Sequence, residues 1–273
     1  MEVTLLEAIV LGVVQGLAEF LPISSSGHLI LVPWMLGWRS HGLTFDLSLH
    51  LGTSVALLGY FWRDWVVLVR AVLAGLTSAE ARTTDQWRLA WLIVIGCIPA
   101  GVVGILFEDV IETALRSPTQ IAVLLIVFGL VLLAADRIGK RSRHLQQVTL
   151  TDALVIGFAQ ILALAPGVSR SGITMTAGLF RGLDRASAAR FSFLLSAPIT
   201  VAAALYKLRV LVQEPPAGSN LIVFLAGIVA AAVVGALAIG FMLRYVQRQP
   251  VDLFVWYRVA AGVFVLALVL LGR

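Results

Sequence analysis

Two stretches that combine proline, glycine and serine interrupt apolar parts of this chain. They read QGLAEFLPISSSGH at residues 15–28 and QILALAPGVSRSGIT at residues 160–174. Each lies within an apolar region, 3–38 or 153–180. If those regions enter a membrane, unwound backbone at that depth is tolerated only where protein buries it or a water-filled cavity solvates it. We therefore expect each region to form two half-helices that meet at a polar tip.

The composition indicates that the chain does lie in a membrane. Of its 273 residues 60% are apolar and only 13% are charged, about half the roughly 25% charged residues of a soluble domain. A soluble globular protein is therefore excluded. A net charge of +5 in so apolar a chain also excludes a nucleic-acid-binding protein. The single cysteine, Cys97, excludes a disulfide framework and a thiolate metal cage.

Six further stretches approach the length of about 20 apolar residues that a transmembrane helix needs. Three of them, 89–107, 117–135 and 215–243, carry no charge. The other three contain polar residues: Asp46 and His50 in 43–62, Arg190 in 186–206, and Arg258 in 253–272. We expect these polar side chains to lie near span ends, where reaching the interface is cheap. The sequence thus predicts an all-α polytopic membrane protein with about six full transmembrane helices plus two hairpins.

The two hairpin regions are related by an internal repeat. At an offset of 145 residues five identities align, namely Gly12 with Gly157, Gln15 with Gln160, Ser24 with Ser169, Ser26 with Ser171, and Gly27 with Gly172. With one more residue of offset, Phe45 aligns with Phe191 and Tyr60 with Tyr206. We therefore interpret residues 1–273 as a single membrane domain, with a first repeat over 1–145 and a second over 146–273.

Loop charges predict that the two repeats are inverted, because short cytoplasmic loops collect Lys and Arg. Basic residues place three connections inside, namely 136–143, 63–88 and the segment after Leu243, whereas Glu108, Asp109 and Glu112 place the connection 108–117 outside. The span 43–62 then runs inward and its mate 186–206 runs outward. The two hairpins consequently enter from opposite faces, and we expect their tips to meet near the membrane midplane.

Tips that meet there would combine acidic, basic and hydroxyl side chains. The residues concerned are Glu19, Ser24, Ser25, Ser26 and His28 from one tip, and Ser169, Arg170, Ser171 and Thr174 from the other. The planar guanidinium of Arg170 suits phosphate oxygens, and a half-helix that begins near Ser171 adds free backbone N–H groups. Glu19 lies in an apolar helix, where an ionisable group indicates function. It could hold a divalent cation or accept a proton.

His28 and the serines suggest a reaction at the bound anion. The imidazole could activate a hydroxyl or water, or protonate a leaving oxygen, and Ser25 or Ser26 could be the nucleophile. The alternatives are structural hydrogen bonds for the serines and His28, and an ion pair with Glu19 for Arg170. We assign no chemistry to His41, His50 and His144. We also assign none to Arg181, Arg185 and Arg190, because we interpret these three arginines as an interfacial positive face.

The motifs resemble those of the undecaprenyl pyrophosphate phosphatases, the bacitracin-resistance membrane phosphatase family. One motif runs from Gln15 to Glu19 and on through 22–28, and the other reads PGVSRSGIT at residues 166–174. The resemblance implies a hydrolase of the bacterial cytoplasmic (inner) membrane that removes the terminal phosphate from a C55 isoprenoid diphosphate. This reaction recycles the cell-wall lipid carrier and confers bacitracin resistance, and the site is expected to open to the outer, periplasmic face.

The resemblance also implies roles for individual residues. Glu19 matches an essential acid associated with a divalent cation, Mg²⁺ or Ca²⁺, His28 a catalytic histidine, Ser25 a nucleophile or phosphate contact, and Arg170 a diphosphate-binding arginine. Gln15 occupies a position where many relatives carry Glu, which leaves it a weaker second candidate for the metal. The expected diphosphate-binding set is Ser24, Ser26, Gly27, Ser169, Arg170, Ser171 and Thr174.

The expected partners are the membrane and the undecaprenyl diphosphate lipid, with a homodimer as a candidate assembly. A polyprenyl phosphate flippase is the alternative function, because broken helices in inverted repeats also build carriers. Glu19 and the histidine beside the serines favour hydrolysis, since transport of an anion does not require them.

Overall fold

The computed structural model describes residues 3–38, 43–107, 116–213 and 221–272, and at residues 43–44 and 203–213 it describes the backbone only. The helices in this part of the chain are α1 (Leu5–Phe20), α2 (Ser25–Leu36), α3 (Leu43–Tyr60), α4 (Trp62–Thr77), α5 (Asp85–Leu106), α6 (Pro118–Ile138), α7 (Leu150–Ile161), α8 (Arg170–Phe180), α9 (Arg185–Gln213), α10 (Leu221–Tyr245) and α11 (Asp252–Leu270). The described residues contain no strand, only an isolated bridge between Arg143 and Leu183.

Four of these helices, α5, α6, α10 and α11, are long and apolar enough to cross a membrane. They coincide with the predicted spans 89–107, 117–135 and 253–272 and with most of 215–243, while the other two predicted spans fall in α3 and α9. The prediction of an all-α polytopic membrane protein is therefore confirmed. His41, Glu108, Asp109, Glu112 and the side chain of Tyr206 lie outside the described residues.

Helix α4 was not predicted, because residues 63–88 were interpreted as an inside connection. Its Val66, Val69 and Leu73 are exposed, whereas Leu68 is buried in the core. Gly75 lets the helix approach α5 closely, since a Cβ at this position would lie 2.2 Å from the Trp87 ring. Part of the segment 63–88 thus belongs to a helix that packs on α5. The arginines of this segment indicated only a connection and did not predict the helix.

The two hairpins have the same local construction. Helices α1 and α2 form the first hairpin, and α7 and α8 form the second. Ser24 and Ser169 cap α2 and α8 with φ angles of 77° and 75°, a left-handed conformation that side chains rarely adopt. Each serine Oγ accepts from the backbone N–H three residues ahead, at 3.4 Å from Gly27 and 3.1 Å from Gly172. The same side-chain cap therefore begins both inner half-helices.

The first helix of each hairpin packs closely on a long helix from the other half of the chain. A Cβ at Gly12 of α1 would lie 2.4 Å from the carbonyl oxygen of Gly227 in α10, and one at Gly157 of α7 would lie 2.4 Å from the carbonyl oxygen of Gly96 in α5. Helix α6 packs on α11. Glycine at these crossings lets the backbones touch, and this packing fixes the positions of both hairpins.

Candidate active site

The tips of the two hairpins meet, as predicted. We define the first tip as residues 21–28 and the second tip as residues 166–173. The backbone N–H of Gly167 donates to Ser24 Oγ at 3.0 Å, and Ser171 Oγ donates to the Leu21 carbonyl oxygen at 3.1 Å. Gly27 lies at the same contact, and a Cβ on this residue would lie 3.2 Å from the Gly167 nitrogen. Each tip thus supplies hydrogen-bond partners to the other.

Arg258 of α11 binds the backbone of both tips. Its Nη1 donates to the Pro22 carbonyl oxygen at 3.1 Å, and its Nη2 donates to the Gly167 and Val168 carbonyl oxygens at 2.9 and 3.0 Å. The side chain is fully buried. The prediction that Arg258 reaches a membrane interface is therefore wrong. Unwound tips expose carbonyl oxygens inside the protein, and a guanidinium with five donors satisfies several of them at once.

Glu19, near the C-terminal end of α1, is the centre of the polar network beside the tips. Its Oε1 accepts from Arg170 Nη2, and its Oε2 accepts from Ser25 Oγ at 2.6 Å and from Gln15 Nε2 at 3.0 Å. Glu19 and Gln15 are buried, whereas Ser25 is half-buried. The ion pair with Arg170 that the sequence left as an alternative is present, and it places both charges at one site.

His50 of α3 joins this network, although the sequence suggested no chemistry for it. Its Nδ1 lies 3.6 Å from Glu19 Oε2 and 2.9 Å from Gln15 Nε2. The signal was available, because an ionisable residue inside an apolar span indicates function by the same reasoning that singled out Glu19. Its position four residues after Asp46 made it resemble a residue at a span end.

These residues surround a cavity of about 230 Å³, which we call the tip cavity. Its polar lining consists of Glu19, Ser25, Ser26, His50, Gln160, Ser169, Arg170 and Thr200. Apolar residues complete the wall, namely Ala18, Leu47, Ala100, Ala163, Leu164 and Ile199. The tip cavity thus combines one carboxylate, one guanidinium and several hydroxyls with an apolar surface, and it could hold a small anionic group attached to an apolar chain.

Several predicted site residues lie outside the tip cavity. His28 is turned toward α11: its Nδ1 lies 2.8 Å from the Ser24 carbonyl oxygen, and its Nε2 lies 2.8 Å from the Tyr257 hydroxyl. Thr174 Oγ1 donates to the Arg170 carbonyl oxygen at 2.7 Å and lies 2.6 Å from Ser192 Oγ. Ser24, Ser171 and Gly27 are occupied by the contact between the tips. For these five residues the structure provides internal partners or packing.

The arginines that were interpreted as a positive face are paired with carboxylates. Arg181 binds Asp152 at 2.7 Å, Arg185 binds Asp136 at 2.5 Å, and Arg190 binds Asp64. Asp136 and Asp152 are fully buried. Asp152 also binds the loop residue Arg143, and this hydrogen bond raises the pKa of the Arg143 guanidinium. These arginines therefore join helix ends to one another and provide no free positive surface.

A larger cavity of about 920 Å³ lies elsewhere and shares no lining residue with the tip cavity. Charged side chains line it, but Arg190 is paired with Asp64 and Arg88 with Asp85. Its size alone does not indicate a reaction. The tip cavity is the better candidate because its polar groups converge from both tips.

Comparison with known proteins identifies the family of this chain. Residues 8–264 match the family model described as bacitracin resistance protein BacA. The chain is 50% identical over 270 residues to a Moorella thermoacetica protein named undecaprenyl-diphosphatase, covering 99% of this chain and 100% of that protein. A Pelobacter propionicus protein of the same name is 51% identical over 270 residues, covering 98% of each. The chain therefore belongs to the BacA bacitracin-resistance family.

Proposed function

We propose that this protein hydrolyses undecaprenyl diphosphate to undecaprenyl phosphate and inorganic phosphate. The convergence of Glu19, Arg170 and the hydroxyls of Ser25, Ser26 and Ser169 on one cavity in a membrane-embedded protein is the observation that supports it. The relatives named above carry the name of this activity. The product of this reaction would be the lipid carrier of cell-wall precursors.

The size of the tip cavity suits the head group of such a lipid. Its volume of about 230 Å³ is below the roughly 300–1,000 Å³ of pockets that enclose a drug-sized ligand. It would hold the diphosphate, while the isoprenoid chain lies along the exposed apolar helices. Arg170 would move its donors from Glu19 Oε1 to the phosphate oxygens, which offer the same bidentate geometry.

Ser25 is our proposed nucleophile, and Glu19 is its proposed base. The 2.6 Å hydrogen bond from Ser25 Oγ to Glu19 Oε2 already points the hydroxyl proton at the carboxylate. In the reaction Ser25 Oγ bonds to the terminal phosphorus, the bond to the bridging oxygen breaks, and lipid monophosphate leaves. Water then attacks the phosphoserine and releases phosphate. A water molecule that Glu19 activates directly is the alternative nucleophile, and trapping of a phosphoenzyme distinguishes the two.

A divalent cation, Mg²⁺ or Ca²⁺, is proposed to accompany the diphosphate. The described residues contain no cluster of three His, Cys, Asp or Glu side chains that could hold a metal alone. Glu19 and the buried Oε1 of Gln15, which lacks a partner among those residues, are oxygen donors that suit such a cation. With substrate oxygens they would fit a shared site. When bound, the cation would offset the negative charge that develops on the leaving phosphate.

Two histidines are candidates for proton transfer to the leaving oxygen. His28 is the histidine of the family motif, but both its ring nitrogens are occupied by Ser24 and Tyr257. His50 already lines the tip cavity. Separate His28→Ala and His50→Ala variants would identify which histidine is the acid. The variant in which kcat no longer falls at high pH has lost the group that protonates the leaving oxygen.

The proposed location is the bacterial cytoplasmic membrane, with the tip cavity reached from the outer face. Cysteine introduced at Ser26 and labelled in intact cells by a membrane-impermeant reagent tests this access, with a Gln249→Cys variant in the predicted inside loop as control. The homodimer stays a prediction, which the mass of the detergent-solubilised protein would decide.

The primary experiment measures phosphate release from undecaprenyl diphosphate by purified wild type and by the Glu19→Ala, His28→Ala and Arg170→Ala variants, with and without chelator. Cation-dependent release by the wild type that is lost in the Glu19 and Arg170 variants is the expected result. A folded, monodisperse wild type that releases no phosphate would reject the proposal and leave the flippase as the alternative.

A further inference from the structure

Gln160 is a buried amide that faces the tip cavity without a hydrogen-bond partner in the part of the chain that the structure describes. It is the penultimate residue of α7 and precedes the second tip in the chain, and only 2% of the residue is exposed. Neither Nε2 nor Oε1 has a hydrogen-bond partner among the described residues. It lines the same cavity as Glu19 and Arg170. A buried amide left unpaired is unfavourable, so a partner from outside the chain is expected.

Comparison with the aligned residue in the first repeat explains why Gln160 has no partner among the residues that the structure describes. Gln15 Nε2 finds three acceptors, Glu19 Oε2 at 3.0 Å, His50 Nδ1 at 2.9 Å and Thr53 Oγ1 at 3.4 Å. At the offsets of the repeat, the corresponding residues in the second half are Leu164, Ser196 and Ile199. The leucine and isoleucine side chains cannot accept, and Ser196 Oγ, which donates to the Phe193 carbonyl oxygen, forms no hydrogen bond with Gln160. The residues at these aligned positions therefore do not hold Gln160 as their counterparts hold Gln15.

The chemistry around Gln160 selects the missing partner. Leu164 and Ile199 line the tip cavity with it, and Arg170 supplies the positive charge there. An amide offers two N–H donors to an anion that the guanidinium attracts. Phosphate oxygens are acceptors without donors when fully ionised, so they match the Gln160 Nε2 group.

We propose that Gln160 is a substrate-binding residue whose amide donates to an oxygen of the diphosphate. This inference rests on the proposed function, because it names a contact of the same substrate in the same cavity. Gln160 would thus be the second-repeat counterpart of Gln15, with the substrate in place of the Glu19 carboxylate.

Calorimetric binding of a non-hydrolysable methylene analogue of a prenyl diphosphate, with Mg²⁺ in every arm, tests the contact without relying on turnover. Gln160→Leu should bind the analogue about tenfold more weakly, because a hydrogen bond to a charged acceptor is lost. In turnover the same variant should raise KM more than it lowers kcat. Its thermal midpoint should stay at or above that of the wild type, since an unpaired buried amide has been removed. Gln249→Leu, at an exposed glutamine, is the matched control.

Equal analogue binding by Gln160→Leu and wild type would overturn the proposal. If the thermal midpoint of the variant were also lowered, the amide of Gln160 would have a structural role. The Gln160→Glu variant distinguishes a hydrogen bond donated by the Gln160 Nε2 group from cation binding by its Oε1. It should weaken analogue binding further, whereas a lower Mg²⁺ requirement with intact binding would make Oε1 a cation ligand and overturn the proposal. A wild type that binds the analogue without hydrolysing the substrate would reject the proposed function alone.

Discussion

The two tips have the same backbone conformation at their capping serines but carry different side chains. Both inner half-helices begin after a serine with φ near 75°, yet the next residue is Ser25 in the first tip and Arg170 in the second. Six residues before Ser25 stands Glu19, and the aligned position in the second hairpin is Leu164. The first hairpin therefore provides the carboxylate and the hydroxyl, and the second provides the guanidinium. A repeated scaffold becomes an asymmetric site when single residues at aligned positions differ.

The contacts between the tips are asymmetric for an equally local reason. Ser24 Oγ accepts from Gly167 N–H at 3.0 Å. The aligned pair would be Ser169 and Pro22, and proline has no N–H to donate. Ser171 Oγ donates to the Leu21 carbonyl oxygen, whereas its aligned residue Ser26 lines the tip cavity. One serine of each aligned pair thus holds the tips together, while its counterpart remains at the cavity wall.

Removing the guanidinium of the second tip should have the largest effect. Arg170→Ala should lower kcat/KM for undecaprenyl diphosphate by at least about 1,000-fold, because the anion loses its charged donor and Glu19 loses the positive charge beside it. The rates of phosphate release at saturating and at limiting substrate concentrations give kcat and kcat/KM. Arg137→Ala, which removes an exposed arginine paired with Asp252, is the matched control. Turnover within tenfold of wild type in a folded Arg170→Ala protein would contradict the assignment.

The residue that binds both tips should matter for stability more than for chemistry. Arg258→Met should lower the free energy of unfolding by about 3 kcal/mol, because the carbonyl oxygens of Pro22, Gly167 and Val168 lose their donor. Thermal unfolding in detergent measures this loss. Arg258→Lys should recover part of it, since an ammonium reaches fewer carbonyls. An unchanged midpoint in both variants would mean that the tips hold each other without Arg258.

Neighbouring serines of the first tip should differ in their effect on turnover. Ser25→Ala should reduce kcat by about 100-fold or more, as expected when the reacting group is lost, whereas Ser26→Ala should cost about tenfold through one lost phosphate hydrogen bond. Single-turnover rates of the two variants provide the comparison. Equal losses would indicate that both serines only bind phosphate and that water is the nucleophile.

The serines that join the tips should give the smallest effects. Ser171→Ala removes one hydrogen bond, to the Leu21 carbonyl oxygen, and should lower the free energy of unfolding by about 1 kcal/mol. Ser24→Ala also removes the cap of α2, so it should lower the free energy by about 2 kcal/mol. Chemical denaturation of the two variants gives the difference, and the reverse order would show that the cap contributes little.

The sequence predicted the hairpins because proline, glycine and serine within apolar stretches leave few alternatives at membrane depth. It also predicted Glu19, Ser25 and Arg170 at one site, and all three line the tip cavity. It missed His50 and wrongly placed Arg258 at an interface, since both were interpreted by their distance from a span end. Depth along a helix does not reveal which neighbour a side chain faces: Arg258 faces the tips, and His50 faces the tip cavity.

Composition and motif spacing thus determined the membrane class, the broken helices and the charged groups that they carry, because these follow from local rules of burial and backbone conformation. The packing of α1 on α10 and of α7 on α5 decided how the tips meet. The tertiary structure also turned His28 toward Tyr257, brought His50 to Glu19, and left Gln160 facing the cavity with no side-chain partner among the described residues. Such placements depend on contacts between residues far apart in sequence, and only the folded helices specify them.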